Sequence, residues 1–285
     1  MTLLTKVVPP NLPIAKDEFT RLDEEYFRNV LRLYFNQLSQ LVNNLAGGTG
    51  GQYLQFPYGA FHQDGTTTLS TGITNVSTTP IVVASTASFP SSGWILIGSE
   101  IIQYTTKTDT TFDGTITRGA LGTTQAAHSA GDAISEVQGT GSSTTIGTVL
   151  FNNTDYSNGV YASADYTKVY FSYSGIYNLQ LSAQLLNYTT TEDNVTIWLR
   201  KNGTDVSASA GIVEVSPKHG TAPGAYIAAW NYFLDLAAGD YVQLVWTSDT
   251  GNSVIATYPA STSPVHPASP GLIFTAQFIS APPEA

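Results

Sequence analysis

Few side chains in this sequence have the types and spacing that catalysis or metal binding requires. Glu100 and His128 could together suggest acid–base chemistry, since carboxyl and imidazole groups are the usual proton donors and acceptors in catalysis. No second carboxylate or nucleophile is placed near them in the sequence, and Arg118 could instead pair with Glu100 or Asp132. We therefore predict that Glu100 and His128 are buried structural residues, satisfied by the backbone of turns.

The other candidate residues form no recognisable catalytic or metal-binding pattern. The sequence contains no GxSxG nucleophile elbow, HExxH zinc motif, P-loop or EF-hand loop. The cluster at residues 191–194 could hold calcium through oxygen ligands, although a solvated hairpin tip explains it more simply. The four histidines lie in different segments, without the spacing of metal ligands. We expect no catalytic residue, no cofactor and no bound metal.

Composition and charge exclude several classes of function. The chain has no cysteine, so it can form neither a disulfide framework nor a thiolate metal site. Residues 1–46 carry five basic and five acidic side chains, whereas the remainder carries six basic and sixteen acidic ones. Such an acidic body is a poor partner for phosphate backbones, and we expect no nucleic-acid binding. No apolar run approaches the length of a membrane span, and residues 1–10 lack the order of a signal peptide.

The N-terminal region is predicted to be an extended arm followed by the one convincing helix in the sequence. Three prolines, Pro9, Pro10 and Pro13, favour an extended arm because proline fixes φ and lacks a backbone donor. The helix is predicted from about Asp17 to Leu45, with Asp17 as its N-cap. Residues 47–51 include four glycines, which favour a flexible connection to the rest of the chain.

Apolar residues form a wide stripe along this helix, which we call the attachment stripe. Spacings of three and four residues, typical of heptads, connect six of its members, and three more widen it beyond a coiled-coil seam. The stripe could pack on its own domain, or it could mediate self-association or docking onto another protein. We favour the second interpretation because the glycine-rich connection would fix an intramolecular dock poorly. The attachment stripe comprises Phe27, Val30, Leu31, Tyr34, Phe35, Leu38, Leu41, Val42 and Leu45.

Residues 47–138 are predicted to form a small middle β-domain, because short strand patterns alternate with turns rich in glycine and proline. The run GWILIGSEIIQY at residues 93–104 is followed by TRG at 117–119, GT at 122–123 and HxxGD at 128–132. This series, which covers about 45 residues, resembles a β-module that recurs in tail and structural proteins of tailed phages. The resemblance implies a shaft or spacer.

Residues 148–285 are predicted to form an antiparallel sandwich of jelly-roll type, after a linker at residues 139–147. Eight or more runs of alternating apolar and polar residues occur there, and Asn202-Gly203 is a strong hairpin signal. Its Tyr and Trp side chains could stack on sugars, although packing explains most of them. Its proline-rich connections at 207–225 and 259–270 could carry a binding site or cover a sheet edge.

Four short motifs follow one another in this C-terminal segment. They are Phe171-x-x-x-Gly175-x-Tyr177, Leu199-x-Lys201-Asn202-Gly203-x-x-Val206, Leu236-x-x-Gly239-Asp240-x-Val242-x-Leu244 and Phe274-x-x-x-Phe278. In this order they resemble the C1q/TNF-like jelly roll. The resemblance implies a compact trimer, of the kind that phages place at the ends of short fibres and as surface knobs.

Taken together, the sequence predicts a mainly β, non-enzymatic structural protein on the surface of a tailed-phage virion, made in the host cytoplasm. Residues 1–46 would attach it to other virion proteins, and the head at residues 148–285 would form a homotrimer in a head or tail fibre. Host-surface glycan is a further candidate partner. The alternatives are a capsid decoration or cement protein, and a polysaccharide-binding or depolymerase component. A depolymerase would need a cleft with paired carboxylates, and no such pair stands out in the sequence.

Overall fold

The structure is a computed structural model that describes residue 10, residues 20–46 and residues 56–280. Within these residues the chain has one helix, α1 (Arg21–Ala46), and 23 strands arranged in antiparallel sheets. The chain divides into two compact units, residues 1–56 and residues 57–285. The predicted fold class, mainly β with an N-terminal helix, is confirmed.

Helix α1 begins at Arg21 because Thr20 caps it. The Thr20 hydroxyl oxygen accepts a hydrogen bond from the Asp23 backbone N–H at 3.3 Å, and the Asp23 carboxylate accepts one from the Thr20 N–H at 3.2 Å. This reciprocal arrangement satisfies backbone donors that the first turn of a helix leaves unpaired. Asp17, the predicted N-cap, lies outside the described residues.

The strands have the following bounds. Those up to Gly139 are β1 (Tyr58–Gln63), β2 (Thr66–Thr68), β3 (Ile81–Val82), β4 (Gly93–Ile97), β5 (Glu100–Tyr104), β6 (Thr106–Lys107), β7 (Thr111–Asp113), β8 (Thr117–Ala120) and β9 (Ala133–Gly139). Those that follow are β10 (Gly147–Thr148), β11 (Asn153–Asn158), β12 (Val160–Ala162), β13 (Val169–Phe171), β14 (Gly175–Asn187), β15 (Asp193–Lys201), β16 (Thr204–Asp205), β17 (Gly211–Val215), β18 (Gly224–Leu236), β19 (Tyr241–Ser248), β20 (Val254–Ala256), β21 (Ser261–Thr262), β22 (Val265–His266) and β23 (Leu272–Ser280).

Two sheets of the C-terminal segment pack face to face as a sandwich. The long sheet has the order β11-β1-β23-β14-β20-β9-β4-β5-β8, with β18 added beside β14 and β2 beside β9. The short sheet has the order β12-β13-β19-β15-β16, with β10 beside β19 and β17 beside β15. Every second residue of β14 and β15 points into one hydrophobic core, as a period of two requires. These core residues include Tyr177, Leu179, Leu181, Val195, Ile197 and Leu199.

The predicted hairpin at Asn202-Gly203 is confirmed. It connects β15 to β16, and both of its residues have positive φ, 50° for Asn202 and 82° for Gly203. Asparagine and glycine are the residues that adopt this backbone conformation most readily, so the local sequence accounts for the turn.

The middle segment has a hydrophobic core of its own. The Phe112 ring packs against the rings of Phe89 and Tyr104, with centroid distances of 5.0 and 4.6 Å. Ile95 and Ile97 of β4 are buried in the same cluster, next to the small sheet β3-β7-β6. The apolar runs that predicted strands in this segment therefore do form its core.

The two predicted β-segments nevertheless share one sheet. Strand β1, which lies within the predicted middle β-domain, pairs with β11 and β23 of the sandwich. Strand β20 pairs with β14 on one side and with β9 on the other, and a third cluster that includes Leu96, Val137, Leu186 and Val254 is buried along this junction. Residues 139–147 thus lie in sequence between two segments that have separate hydrophobic cores. Strands from both segments nevertheless belong to one sheet.

Candidate functional site

Glu100 and Arg118 form a buried, bidentate ion pair. Arg118 Nε donates to Glu100 Oε1 at 2.7 Å and Arg118 Nη2 donates to Oε2 at 2.8 Å. The backbone N–H groups of Gly119 and Ala126 also donate to the carboxylate, each at 3.0 Å, and His128 Nε2 lies 2.8 Å from Oε2. The predicted pairing of Arg118 with Glu100, and the predicted satisfaction of Glu100 by turn backbone, are both confirmed.

Every donor of Arg118 has a partner. Besides its two bonds to Glu100, Nη1 donates to the carbonyl oxygens of Thr74 and Ser77, and Nη2 donates to that of Ala126. A guanidinium has five N–H donors, and all five are used here. Burial opposes ionisation of Glu100, but the hydrogen bonds from Arg118 and its neighbours outweigh it and hold the pKa of Glu100 below the ordinary value. This group is a structural centre that ties two loops, at residues 74–77 and 126–128, and strand β8 to β5.

Asp193, the candidate calcium ligand, also uses both of its carboxylate oxygens in structural hydrogen bonds. One carboxylate oxygen accepts from the Ser248 hydroxyl at 2.6 Å and from the Ser253 N–H at 3.1 Å, and the other accepts from the Thr250 N–H at 3.0 Å. Burial works against ionisation, but these bonds lower the pKa of Asp193. Asp193 therefore holds the turn after β19 in place. Among the described residues, no group of three or more His, Cys, Asp or Glu side chains could hold a metal ion.

The attachment stripe lies on α1, where its residues are only partly covered. Phe35 and Val42 are exposed, whereas the other members are half-buried, apart from Leu45, whose side chain lies outside the described residues. Sequence reasoning missed a second apolar row, formed by Leu22, Tyr26 and Leu33, each at least 60% exposed. Intervals of four and seven residues place these three side chains on one face of a helix. The helix thus presents apolar side chains on two faces.

The solvent side of strands β14, β18 and β23 of the long sheet carries exposed apolar side chains and almost no charge. Strands β14, β18 and β23 contain a single charged residue, Asp235. Because β14 points its odd-numbered residues into the core, the strand register places Ile227, Phe233 and Ile273 on the solvent side. Amides such as Gln180 lie between them, in a shallow groove of about 440 Å³. We call the solvent side of these three strands the uncharged face.

A cleft of about 440 Å³ opens where residues 87–91 approach the turn at residues 163–168, both within the second compact unit. We call it the Glu136 cleft, after the buried carboxyl group of β9 that lines it. Its wall also includes Phe89, Lys107, Asn152, Asp165 and Tyr166. Sequence reasoning missed Glu136; the available signal was an acidic residue two positions after Ile134, on the same face of a strand pattern.

Glu136 is only half satisfied by hydrogen bonds. Its Oε2 accepts from Asn152 Nδ2 at 2.7 Å, but Oε1 is buried without a hydrogen-bond partner among the described residues. Burial, reinforced by the charge of Asp64, raises the pKa of Glu136 to about 8, although Asn152, Gln63 and Lys107 act in the other direction. Glu136 is therefore mostly a neutral carboxylic acid at pH 7. Asp165, in the same cleft, has its pKa lowered by hydrogen bonds from Ser163 and Thr167.

No protein-family model matches this chain, and a comparison with curated proteins finds no match to it. In the part of the chain that the structure describes, no helix is long and apolar enough to cross a membrane.

Replacement of Arg118 by methionine is expected to lower the free energy of unfolding by about 3–5 kcal/mol, because it leaves the Glu100 carboxylate buried without its cation. Arg200→Met is the matched control. Arg200 also places Nε 2.7 Å from a carboxylate, that of Asp205, but this pair is largely solvated and its loss should have little effect. Urea unfolding of both variants checks this; equal losses would contradict a special role for the buried pair.

Glu136→Gln is expected to reduce the pH dependence of stability. The folded protein keeps the Glu136 proton up to about pH 8, whereas the unfolded chain loses it near 4.5, so the folded state binds more protons between these values. Stability of the wild type should then fall as pH rises from 5 to 8, by about 3–5 kcal/mol from this group. Glutamine stays neutral, and the variant should lose less. Urea unfolding at pH 5, 6, 7 and 8 checks this, and parallel profiles would refute it.

Proposed function

We propose that this chain is a non-enzymatic structural protein of a tailed-phage virion, a short trimeric fibre. The N-terminal arm and helix attach it to other virion proteins, and a C1q/TNF-like jelly-roll head contacts the host surface or neighbouring subunits. The observation that carries this proposal is the combination of two exposed apolar surfaces on two separate compact units. One surface is the helix with its attachment stripe and second row, and the other is the uncharged face.

Charge supports self-association through the uncharged face. The chain beyond residue 46 has six basic and sixteen acidic residues, so copies of it repel one another at most approaches. The three strands of this face contribute only Asp235 to that charge. Contact there avoids both the repulsion and the cost of burying ions. Protein interfaces are depleted in charged residues at their centres and enriched in aromatic ones, and Phe233 at 65% exposure fits that pattern.

Packing supports the finer assignment to the C1q/TNF-like jelly roll. Two of the aromatic motif residues, Phe171 and Tyr177, contact each other across the sandwich with ring centroids 4.7 Å apart. Gly175, between them in sequence, leaves room for the Phe278 ring of the final strand, which a side chain at this position would meet at 2.3 Å. The motifs that carry the resemblance therefore come together in one core. Trimerisation follows from the resemblance, and attachment from the helix.

A capsid decoration protein would use the same surfaces, and the location of the protein on the particle separates it from a fibre. A depolymerase is the second candidate function that an observation favours. Glu136 and Asp165 line one cleft, and their pKa values move in opposite directions, as in an acid–base pair. Incubation with host polysaccharide should release no new reducing ends; release that Glu136→Gln abolishes would replace the structural proposal by an enzymatic one.

The purified chain is expected to scatter light as a particle of about three times its mass of 30.4 kDa. Ile227→Glu, on the uncharged face, should shift it to monomers at micromolar concentration, since three carboxylates would then be buried together. Ile212→Glu is the matched control, because Ile212 is equally exposed but lies on β17 of the short sheet. A monomeric wild type would refute the trimer, and dissociation by both variants would refute this face as its interface.

Deletion of residues 1–46 is expected to abolish incorporation into virions while leaving the second compact unit folded. A finer comparison uses Leu38→Asp, within the attachment stripe, and Ser39→Asp, its exposed neighbour. Both add one carboxylate to the same turn, but only Leu38→Asp should reduce incorporation, because it places a charge in the apolar contact. Immunoblots of purified particles check this. Normal incorporation of the truncated chain would show that attachment lies elsewhere.

A further inference from the structure

We propose that the Glu136 cleft binds neutral saccharide units of a surface polysaccharide. The inference deepens the proposed host contact and rests on it, since it gives that contact a place and a ligand class. The cleft lies where the middle segment meets the sandwich, away from the strands of the uncharged face. If copies of this chain associate through the uncharged face, the Glu136 cleft of each copy stays open to a ligand.

The shape of the cleft is that of a small-ligand site. Its volume of about 440 Å³ lies within the range of clefts that hold small molecules. One wall is the segment 87–91, which closes over Tyr104, whose hydroxyl donates to the Pro90 carbonyl oxygen at 2.8 Å. The other wall is the turn at 163–168, anchored by the bond from the Phe151 N–H to the Tyr166 carbonyl oxygen at 2.9 Å. Both walls are therefore fixed before a ligand enters.

One residue that lines this cleft, Glu136, carries a buried polar atom that is unpaired among the described residues. Glu136 is 1% exposed, and its Oε1 has no hydrogen-bond partner within the described ranges. Buried polar atoms are nearly always paired, and the chain itself offers a candidate partner for Glu136, the Gln63 amide, which is also unpaired in the described part of the chain and acts to lower the pKa of Glu136. The position of Glu136 is fixed, because Asn152 donates both to Oε2 of Glu136 and to the Ser88 carbonyl oxygen, each at 2.7 Å. A ligand hydroxyl can pair with such a group, since it both donates and accepts.

The charges around the cleft favour a neutral ligand. Lys107 lines it together with Glu136 and Asp165, so a cation would meet an ammonium group and an anion would meet at least one carboxylate. The Lys107 ammonium is held at the Thr86 carbonyl oxygen, 2.6 Å away, which keeps the positive charge in place. A polyhydroxylated, uncharged molecule is the class that these groups can hydrogen-bond without a charge penalty.

Tyr166 adds an aromatic surface to the cleft. Its backbone has φ of +59°, an uncommon conformation for a residue other than glycine, asparagine or aspartate, and its side chain is 47% exposed. The turn is held by Asp165, which accepts hydrogen bonds from the Ser163 hydroxyl and the Thr167 N–H. A strained backbone that presents a half-exposed aromatic ring is typical of a functional position. The apolar face of a sugar ring can pack on such a side chain.

The test uses the full-length protein and three neutral probes, linear tetrasaccharides of glucose, galactose and N-acetylglucosamine, with tetragalacturonate as an anionic comparison. Saturation-transfer NMR and calorimetry should detect binding of at least one neutral probe, and weaker binding of tetragalacturonate. Tyr166→Asn should weaken binding about tenfold, the loss of one stacked ring, while asparagine tolerates the backbone conformation. Glu136→Leu should weaken it as well, with circular dichroism to confirm folding.

Tyr161→Asn is the matched control, because Tyr161 is 49% exposed but lies on β12, outside the cleft. It should bind the probe as the wild type does. Absence of binding to every neutral probe, or equal losses in Tyr161→Asn and Tyr166→Asn, would overturn the proposal. These binding measurements use the isolated protein. The proposed function is tested separately, by the mass of the protein in solution and by its incorporation into virions. Failure of the binding proposal is therefore distinguishable from failure of the proposed function.

Discussion

The pairing of strand β20 with two neighbours is the constraint on which the rest of the β structure depends. Val254 and Ile255 pair with β14 of the sandwich, Val254, Ile255 and Ala256 all pair with β9 of the middle segment, and all three are fully buried. A backbone ladder on both sides leaves no freedom for one segment to rotate against the other. The sheet that results is continuous from the sandwich into the middle segment.

The surroundings of three buried carboxyl groups in the folded structure determine whether each one is ionised. Glu100 and Asp193 are surrounded by donors, so hydrogen bonds outweigh burial and keep their pKa values low. For Glu136 burial, reinforced by the negative charge of Asp64, outweighs the hydrogen bonding of Asn152 and Gln63, so its pKa rises to about 8. The same functional group is thus a structural anion in two places and a neutral acid in the third. The third lines a cleft.

The surfaces of the two compact units differ in a way that matches separate tasks. Residues 1–46 carry five acidic and five basic residues, and the helix within them has apolar rows on two faces. The β unit carries the net negative charge, with one face nearly free of it. The proposed docking of the charge-balanced helix would not depend on the sign of its partner, whereas the proposed self-association of the acidic unit is favoured at its uncharged face.

The sequence by itself determined the local elements. Alternation of apolar and polar residues placed β14 and β15, Asn202-Gly203 placed the hairpin, and heptad-like spacing placed α1, because each depends on neighbours a few residues away. Tertiary structure alone decided which strands share a sheet. Strand β1 pairs with β11, some 90 residues further on, and no local pattern encodes that partner. It also decided that Glu136 has an unpaired oxygen beside a cleft, since burial and hydrogen bonding depend on residues brought together only by folding.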